Sequence, residues 1–333
     1  MIALDANGAD GGPAIVAEGG RRSGADVTLF GPAAELEGFE PVVDAPVRIG
    51  NDEEPVLAVR TKPEASIVQA VRAVAAGDAD AAVSAGSTGA ALAASVLHLR
   101  RLRGVHRPGI AVLIPVPGAP TLMVDVGGNV EVRPEHLVQF AYMGSAFMEA
   151  VHGVERPRVG LLSVGEEPNK GTEDVVAAHE RLASAGPGSI NFVGNVEGTD
   201  VTSGAADVVV TDGFTGNVAI KLMEGTARTV VGAVRAAVRS NPSAMLGGVL
   251  IRGALGGLRR ELDPNTTGGA ILLGVRGIVV IAHGGSSAAG IANAVRLARR
   301  AVDERMLERT TSALEAAGAL RSAPTATVAS ADE

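Results

Sequence analysis

The 333-residue sequence predicts an α/β protein, a three-layer α/β/α sandwich around a mainly parallel sheet. Two observations predict it. Short apolar runs ended by Gly, Asn or Asp alternate with longer Ala-rich segments of helical period, the signature of strands joined by crossover helices. The hydrophobic fraction is 46%, yet there are only one Tyr, six Phe and no Trp, so the core is built from Ala, Val, Leu and Ile.

In chain order the strand-like runs are Ile2–Leu4, Val27–Phe30, Ala81–Ser84, Ala111–Ile114, Thr121–Val126, Val159–Val164, Asn191–Val193, Val208–Thr211 and Ile278–Ala282. Helical periods cover Ala65–Ala76, Ala90–Leu99, Pro134–Val151, Thr172–Ala185, Asn217–Val238 and Ser287–Glu308. No clean boundary interrupts the pattern, and residues 1–315 read as a single domain. Residues 239–268, apolar, Gly-broken and basic, stand apart as a protruding helical element. The Ala/Ser/Thr-rich residues 316–333 read as a disordered tail.

Composition narrows the function. The absence of cysteine excludes disulfides, zinc–thiolate sites and a thiol nucleophile. A net charge of −8 and the scarcity of aromatics argue against a nucleic-acid partner. The N-terminus has no basic region followed by an apolar one, and no long uncharged apolar stretch occurs, so a cytoplasmic location is expected. The histidines show no metal-ligand spacing; no metal or cofactor is expected.

In parallel sheets ligands bind beyond the carboxyl ends of the strands, so chemistry is sought in the loops that follow these runs. The first, Asp5–Gly12, is Gly-rich but lacks GxGxxG and GxxxxGK[ST]. Its two acids suit it to orienting neighbouring donors more than to cradling an anion. Ser84–Ala90 (SAGSTGA) places Ser87 and Thr88 where a helix begins; they either contact an anion or cap the helix. Asp125–Asn129 ends in Asn129, and Gly165–Gly171 carries Lys170 beside Gly171, where a lysine can hold a phosphate or polarise a carbonyl. Asn195 and Asn217, the latter following Asp212, set amides beside glycines. His283 and Ser286 follow the last strand, a position that suits a catalytic histidine or a hydrogen-bonded structural one.

Together these loops resemble one family, the bacterial phosphate acyltransferase usually called PlsX. The resemblance is carried by SAGSTGA (84–90), RPGI (107–110), DVGGN (125–129), QFAYMG (139–144), GLLSVGEEPNKG (160–171), NFVGNVEGTD (191–200), DVVVTDGFTGNVAIKLMEG (207–225), GGAILLGVRG (268–277) and IAHGGSS (281–287). It runs in order from residue 1 to about 303. The family usually has Met and Gly where Asn7 and Ala9 stand, and commonly Asn where Ser87 and Ser163 stand.

The resemblance implies a fold related to phosphotransacetylases and isopropylmalate dehydrogenases, a homodimer, and no cofactor. It also implies the reaction: an acyl group passes from acyl carrier protein to inorganic phosphate, and the acyl phosphate feeds a glycerol-3-phosphate acyltransferase in phospholipid synthesis. Rival readings are a short-chain phosphotransacetylase using coenzyme A, an NAD-dependent decarboxylating dehydrogenase on a related fold, and an inactive membrane scaffold.

Phosphate is already anionic and a thiolate leaves readily, so such an enzyme works by positioning and electrostatics. In that chemistry Lys170, Ser87 and Thr88 hold phosphate, Asn195 and Asn217 donate to the carbonyl oxygen, and His283 orients phosphate or protonates the sulfur. Asp5 and Asp212 position the donors, while Ser84, Asn129, Gly171 and Ser286 line the substrate. Met245, Leu246 and Leu250 with Arg252, Arg259 and Arg260 suit an anionic membrane surface, the carrier protein or a dimer hairpin.

Overall fold

The computed structural model describes residues 1–116, 120–186, 188–240, 242–247, 251, 253 and 266–320. Its strands are β1 (Ile2–Asp5), β2 (Val27–Gly31), β3 (Val42–Asp44), β4 (Ala81–Ser84), β5 (Gly109–Ile114), β6 (Thr121–Val124), β7 (Arg158–Leu162), β8 (Asn191–Val196), β9 (Val208–Val210), β10 (Ala270–Leu273) and β11 (Ile278–Ile281). The helices are α1 (Pro13–Ser23), α2 (Pro55–Thr61), α3 (Ser66–Ala76), α4 (Thr88–Ala94, prolonged by a π turn at Ser95–Leu99), α5 (Pro134–His152), α6 (Glu173–Ala183), α7 (Gly213–Val238), α8 (Ala288–Asp303) and α9 (Met306–Ala316).

All eleven strands form one sheet in the order β3-β2-β1-β4-β11-β10-β5-β6-β9-β7-β8. Strands β3, β2, β1, β4 and β11 pair in parallel, as do β6, β9, β7 and β8. Between the two blocks, β10 is antiparallel to both β11 and β5, and β5 is antiparallel to β6. Three reversals in a row leave the two parallel blocks running in opposite senses. Their carboxyl ends therefore emerge on opposite edges of the sheet.

Burial follows the period of a strand covered on both faces. Ile2, Leu4 and Val83 pack into one core with Val16 of α1, Phe140 of α5 and Ile291 of α8. Ala82 and Val279 face the other side, with Val68 of α3 and Ala91 of α4. This is the expected three-layer sandwich.

Several elements differ from the expectations. The short β3 and the antiparallel β10 were not foreseen, nor were α1 and α2, each of which opens on a proline. The helix expected over Ser287–Glu308 is two helices, because Arg305 adopts a left-handed φ of 51° and turns the chain between α8 and α9. Residues 317–320, assigned to the tail, are ordered. Ala317, Ala319 and Leu320 pack on the core, and the Ala319 carbonyl accepts from Gln139 Nε2 at 2.7 Å. Residues 321–333 lie outside the described residues, as do Leu250, Arg252, Arg259 and Arg260.

Candidate active site

The sequence-predicted residues fall into two clusters, one on each edge. The first is delivered by three adjacent strands, β1, β4 and β11. Asp5 ends β1 and is 1% exposed; burial pushes its carboxyl above the usual range, against hydrogen bonds from Ser66, Ser84 and the Asn7 N–H. Ser84 Oγ donates to Asp5 Oδ2 at 2.6 Å and accepts the Gly86 N–H at 3.0 Å, so one hydroxyl ties the two loops together. Gly8 and Gly86 make this contact possible: a Cβ on Gly8 would lie 2.3 Å from Gly86 Cα.

Beyond these residues Ser87 caps α4 by accepting the Ala90 N–H at 3.4 Å, and Thr88 is exposed beside it. The third loop of this edge is joined on by the Asp10 N–H, which donates to the Gly284 carbonyl at 2.9 Å. His283 is exposed, and its Nδ1 accepts the Gly285 N–H at 3.1 Å. A backbone N–H can only donate, so the neutral imidazole carries its proton on Nε2 and presents a donor. Ser286 is buried beneath it, and Ser287 caps α8 by accepting the Gly290 N–H. Asp10, absent from the sequence-based candidates, stands beside Gly284 and Gly285 here. Its signal in the sequence was only its place in a Gly-rich first loop.

The second cluster is built around Asp125, fully buried at the end of β6. Its Oδ1 accepts the N–H groups of Ile110, Gly127 and Gly128, and Oδ2 accepts Asn129 Nδ2 at 2.7 Å. Burial still raises its carboxyl above the usual range. Asp212 caps α7 through the Thr215 N–H and hydroxyl. The start of α7 lies so close to the β6 loop that Gly213 and Gly216 have no room for a side chain; a Cβ on Gly216 would lie 2.0 Å from the Asp125 carbonyl oxygen.

The amides expected to face substrate are engaged with the chain itself. Asn129 Nδ2 also donates to the Pro108 carbonyl, and Asn217 Nδ2 donates to that of Val126 at 3.1 Å. Asn195 Nδ2 donates to the Glu167 carbonyl at 2.8 Å while its Oδ1 meets His179 Nδ1 at 3.0 Å. These residues latch loops. Lys170 is exposed in the loop that Asn195 holds, and Gly171 there takes a φ of 107°.

One expected grouping is not formed within a chain. Lys170 follows β7 and Ser87 follows β4; the two strands run oppositely and are six positions apart in the sheet, about 29 Å at the usual strand spacing. A lysine side chain cannot span that gap, so Lys170 does not share a phosphate with Ser87 and Thr88 of its own chain. Asn217 and His283 are likewise on opposite edges. Met245 and Leu246 lie in a helical stretch at 242–247 and are exposed.

Comparison with known proteins bears on the family and the fold. The family described as "Fatty acid synthesis protein" matches residues 1–309. A phosphate acyltransferase of Synechococcus sp. (strain JA-3-3Ab) is 44% identical over 321 residues, covering 92% of this chain and 88% of that protein. The phosphate acyltransferase of Elusimicrobium minutum is 42% identical over 318 residues, covering 91% and 92%. Among solved structures, a phosphotransacetylase from Streptococcus pyogenes superposes with a TM-score of 0.59 at 17% identity, over 91% of this chain and 94% of that one. The EutD phosphotransacetylase from Staphylococcus aureus gives 0.55 at 16%, with the same coverage. These two establish the likeness of fold. With nine-tenths of its length matched at over 40% identity, the chain belongs to the fatty acid synthesis protein family.

Proposed function

We infer that the protein is an acyltransferase that moves a fatty acyl group from the thioester of an acyl carrier protein to inorganic phosphate. The kinship to phosphate acyltransferases supports the reaction. The geometric observation that carries it is the convergence of three neighbouring loops, after β1, β4 and β11, on one edge where α1 and α8 begin. Helix N-termini favour an anion, and His283 Nε2 adds a donor. On the other edge a cavity of about 430 Å³ is lined by Glu166, Glu167 and Glu197, which repel phosphate.

The reaction asks little of the protein beyond this. A phosphate oxygen attacks the thioester carbonyl, the carbon–sulfur bond breaks, and the sulfur leaves as thiolate or takes a proton. Donors fixed before the reaction stabilise the oxyanion without reorganising. Ser87 and Thr88 sit on the phosphate edge, as does His283.

A second copy of the chain covers the apolar stripe of α7, where Phe214, Val218 and Leu222 recur every four residues and are 62%, 49% and 67% exposed. The exposed Met245 and Leu246 continue that apolar character toward a membrane surface. Among the described residues no helix is long and apolar enough to cross a membrane.

Incubation with palmitoyl carrier protein and phosphate, followed by hydroxylamine trapping, reads the reaction directly. A phosphate-dependent acyl hydroxamate is expected. Turnover with acetyl-coenzyme A and none with the palmitoyl carrier would replace this reading by that of a short-chain phosphotransacetylase, the kind of enzyme two of the solved structures of like fold are.

A further inference from the structure

We propose that an arginine strip on the edge opposite the phosphate loops is the docking surface for the acyl carrier protein, an acidic protein; the proposal rests on the acyl-transfer reading above. The chain carries a net charge of −8, yet residues 81–124 contain no Asp or Glu and hold Arg100, Arg101, Arg103 and Arg107. The fold gathers these with two more. The Arg276 N–H donates to the Arg100 carbonyl at 3.0 Å, and Arg276 Nε to that of Arg101 at 3.1 Å. The Arg101 side chain reaches the His106 carbonyl, and the rings of His106 and His136 stand 5.8 Å apart. His136 caps the start of α5 by accepting the Arg133 N–H; burial lowers its pKa, Glu135 opposes that, and His106, Arg107 and Arg133 add to it.

All six arginines are exposed, and none forms an ion pair among the described residues. Uncompensated guanidinium groups in an acidic protein raise the local potential, favour carboxylates and speed encounter with an acidic partner. The surface is rigid where it matters. Leu102 N–H donates to the Gly274 carbonyl, and Arg101 bridges Val275 across the β10–β11 turn. Gln139 holds the His106 N–H and the Gly104 carbonyl from beneath.

The same corner places ligand atoms of His106, Glu135 and His136 within 4.8 Å of one another, the arrangement of a cation site. The Arg133 N–H occupies His136 Nδ1, which leaves Nε2 protonated in the neutral ring, and the surrounding arginines repel a cation. An acidic protein surface suits the corner better. The carrier presents its acyl group on a long flexible prosthetic arm, so its body need not sit on the phosphate loops; Arg276 and His283 flank β11 seven residues apart, at most about 23 Å.

The test compares wild type with Arg100→Glu/Arg103→Glu/Arg107→Glu and with the matching Lys triple, since these three side chains make no hydrogen bond or ion pair among the described residues. Binding of the unacylated holo carrier protein is measured by titration at low salt, alongside turnover with palmitoyl carrier and with palmitoyl-coenzyme A. The proposal expects the Glu triple to bind the carrier at least tenfold more weakly, the Lys triple to bind within about threefold of wild type, and palmitoyl-coenzyme A turnover to be unchanged. Carrier binding unaffected by the Glu triple, no binding by wild type, or equal loss with both acyl donors would overturn it. Carrier binding without acyl phosphate formation would leave the docking surface standing and refute the acyl-transfer reading instead.

Discussion

Ser84 Oγ donates to Asp5 Oδ2 at 2.6 Å, joining two strand ends that are 79 residues apart in sequence and neighbours in the sheet. The pair is buried, so its hydrogen bond cannot be replaced by water.

Replacing Ser84 by Ala leaves the Asp5 carboxylate one donor short and frees the Gly86 N–H. The expected cost is about 1–3 kcal/mol, read as a lower midpoint in urea with an unchanged slope. Asp5 also predicts a pH effect. Its folded-state pKa is raised, so the folded protein binds the proton more tightly than the unfolded one, and stability falls as pH rises from the unfolded value through the folded one. Asp5→Asn is expected to flatten that fall in denaturation curves taken from pH 3.5 upward.

His152, at the end of α5 against Phe147, is shifted the other way. Burial, with a smaller push from Arg300, lowers its pKa to about 4. The unfolded state takes up the proton first, so stability present above about pH 6.5 is lost as pH falls toward 4, by up to about 3 kcal/mol. His152→Leu is expected to remove most of this acid sensitivity, measured as the difference in thermal midpoint between pH 7 and pH 5.

His283 offers a cleaner separation of function from folding. It is exposed and, among the described residues, bonded only to the Gly285 N–H, so His283→Ala is expected to leave the melting temperature within about 1–2 °C, a change of roughly a few tenths of a kcal/mol. Acyl phosphate formation is expected to drop at least about tenfold, the usual penalty for a lost transition-state donor. Activity within twofold of wild type would remove His283 from the site.

Gly216→Ala tests the seat of α7. Its Cβ would meet the Asp125 carbonyl oxygen at 2.0 Å, backbone against backbone, so neither side can yield without lifting the helix from the β6 loop. A loss of at least about 2 kcal/mol is expected, although alanine is the better helix former.

Much of the fold was legible in the sequence because apolar runs and helical periods are local signals. Nine of the strands were marked by such runs. The two that were not are short: β3 is three residues of an edge strand, and β10 is four residues flanked by Gly269 and Gly274, which read as turns. Nor does any local pattern reveal that β10, β5 and β6 each run antiparallel to the strand before them in the sheet, and these three reversals are what divide the predicted site between two edges. The loops were found; the partners of their side chains were not. Asn129, Asn195 and Asn217 look alike in sequence as amides beside glycines, and each turns out to serve a carbonyl 21, 28 or 91 residues away. The arginine strip is half local: Arg100, Arg101, Arg103 and Arg107 stand together in the sequence, whereas Arg276 and Arg133 join them only through folding.

The 26-residue α7 is about 39 Å long, and in the single chain only Gly213 and Gly216, both in its first turn, are buried. It is a rod clamped at one end. A helix without tertiary packing is only marginally stable in water, so the free half should exchange its amide protons far faster than the clamped turn. Whatever seats against the outer half thereby supplies its order, and the protection of those amides becomes a gauge of assembly that needs no assay of catalysis.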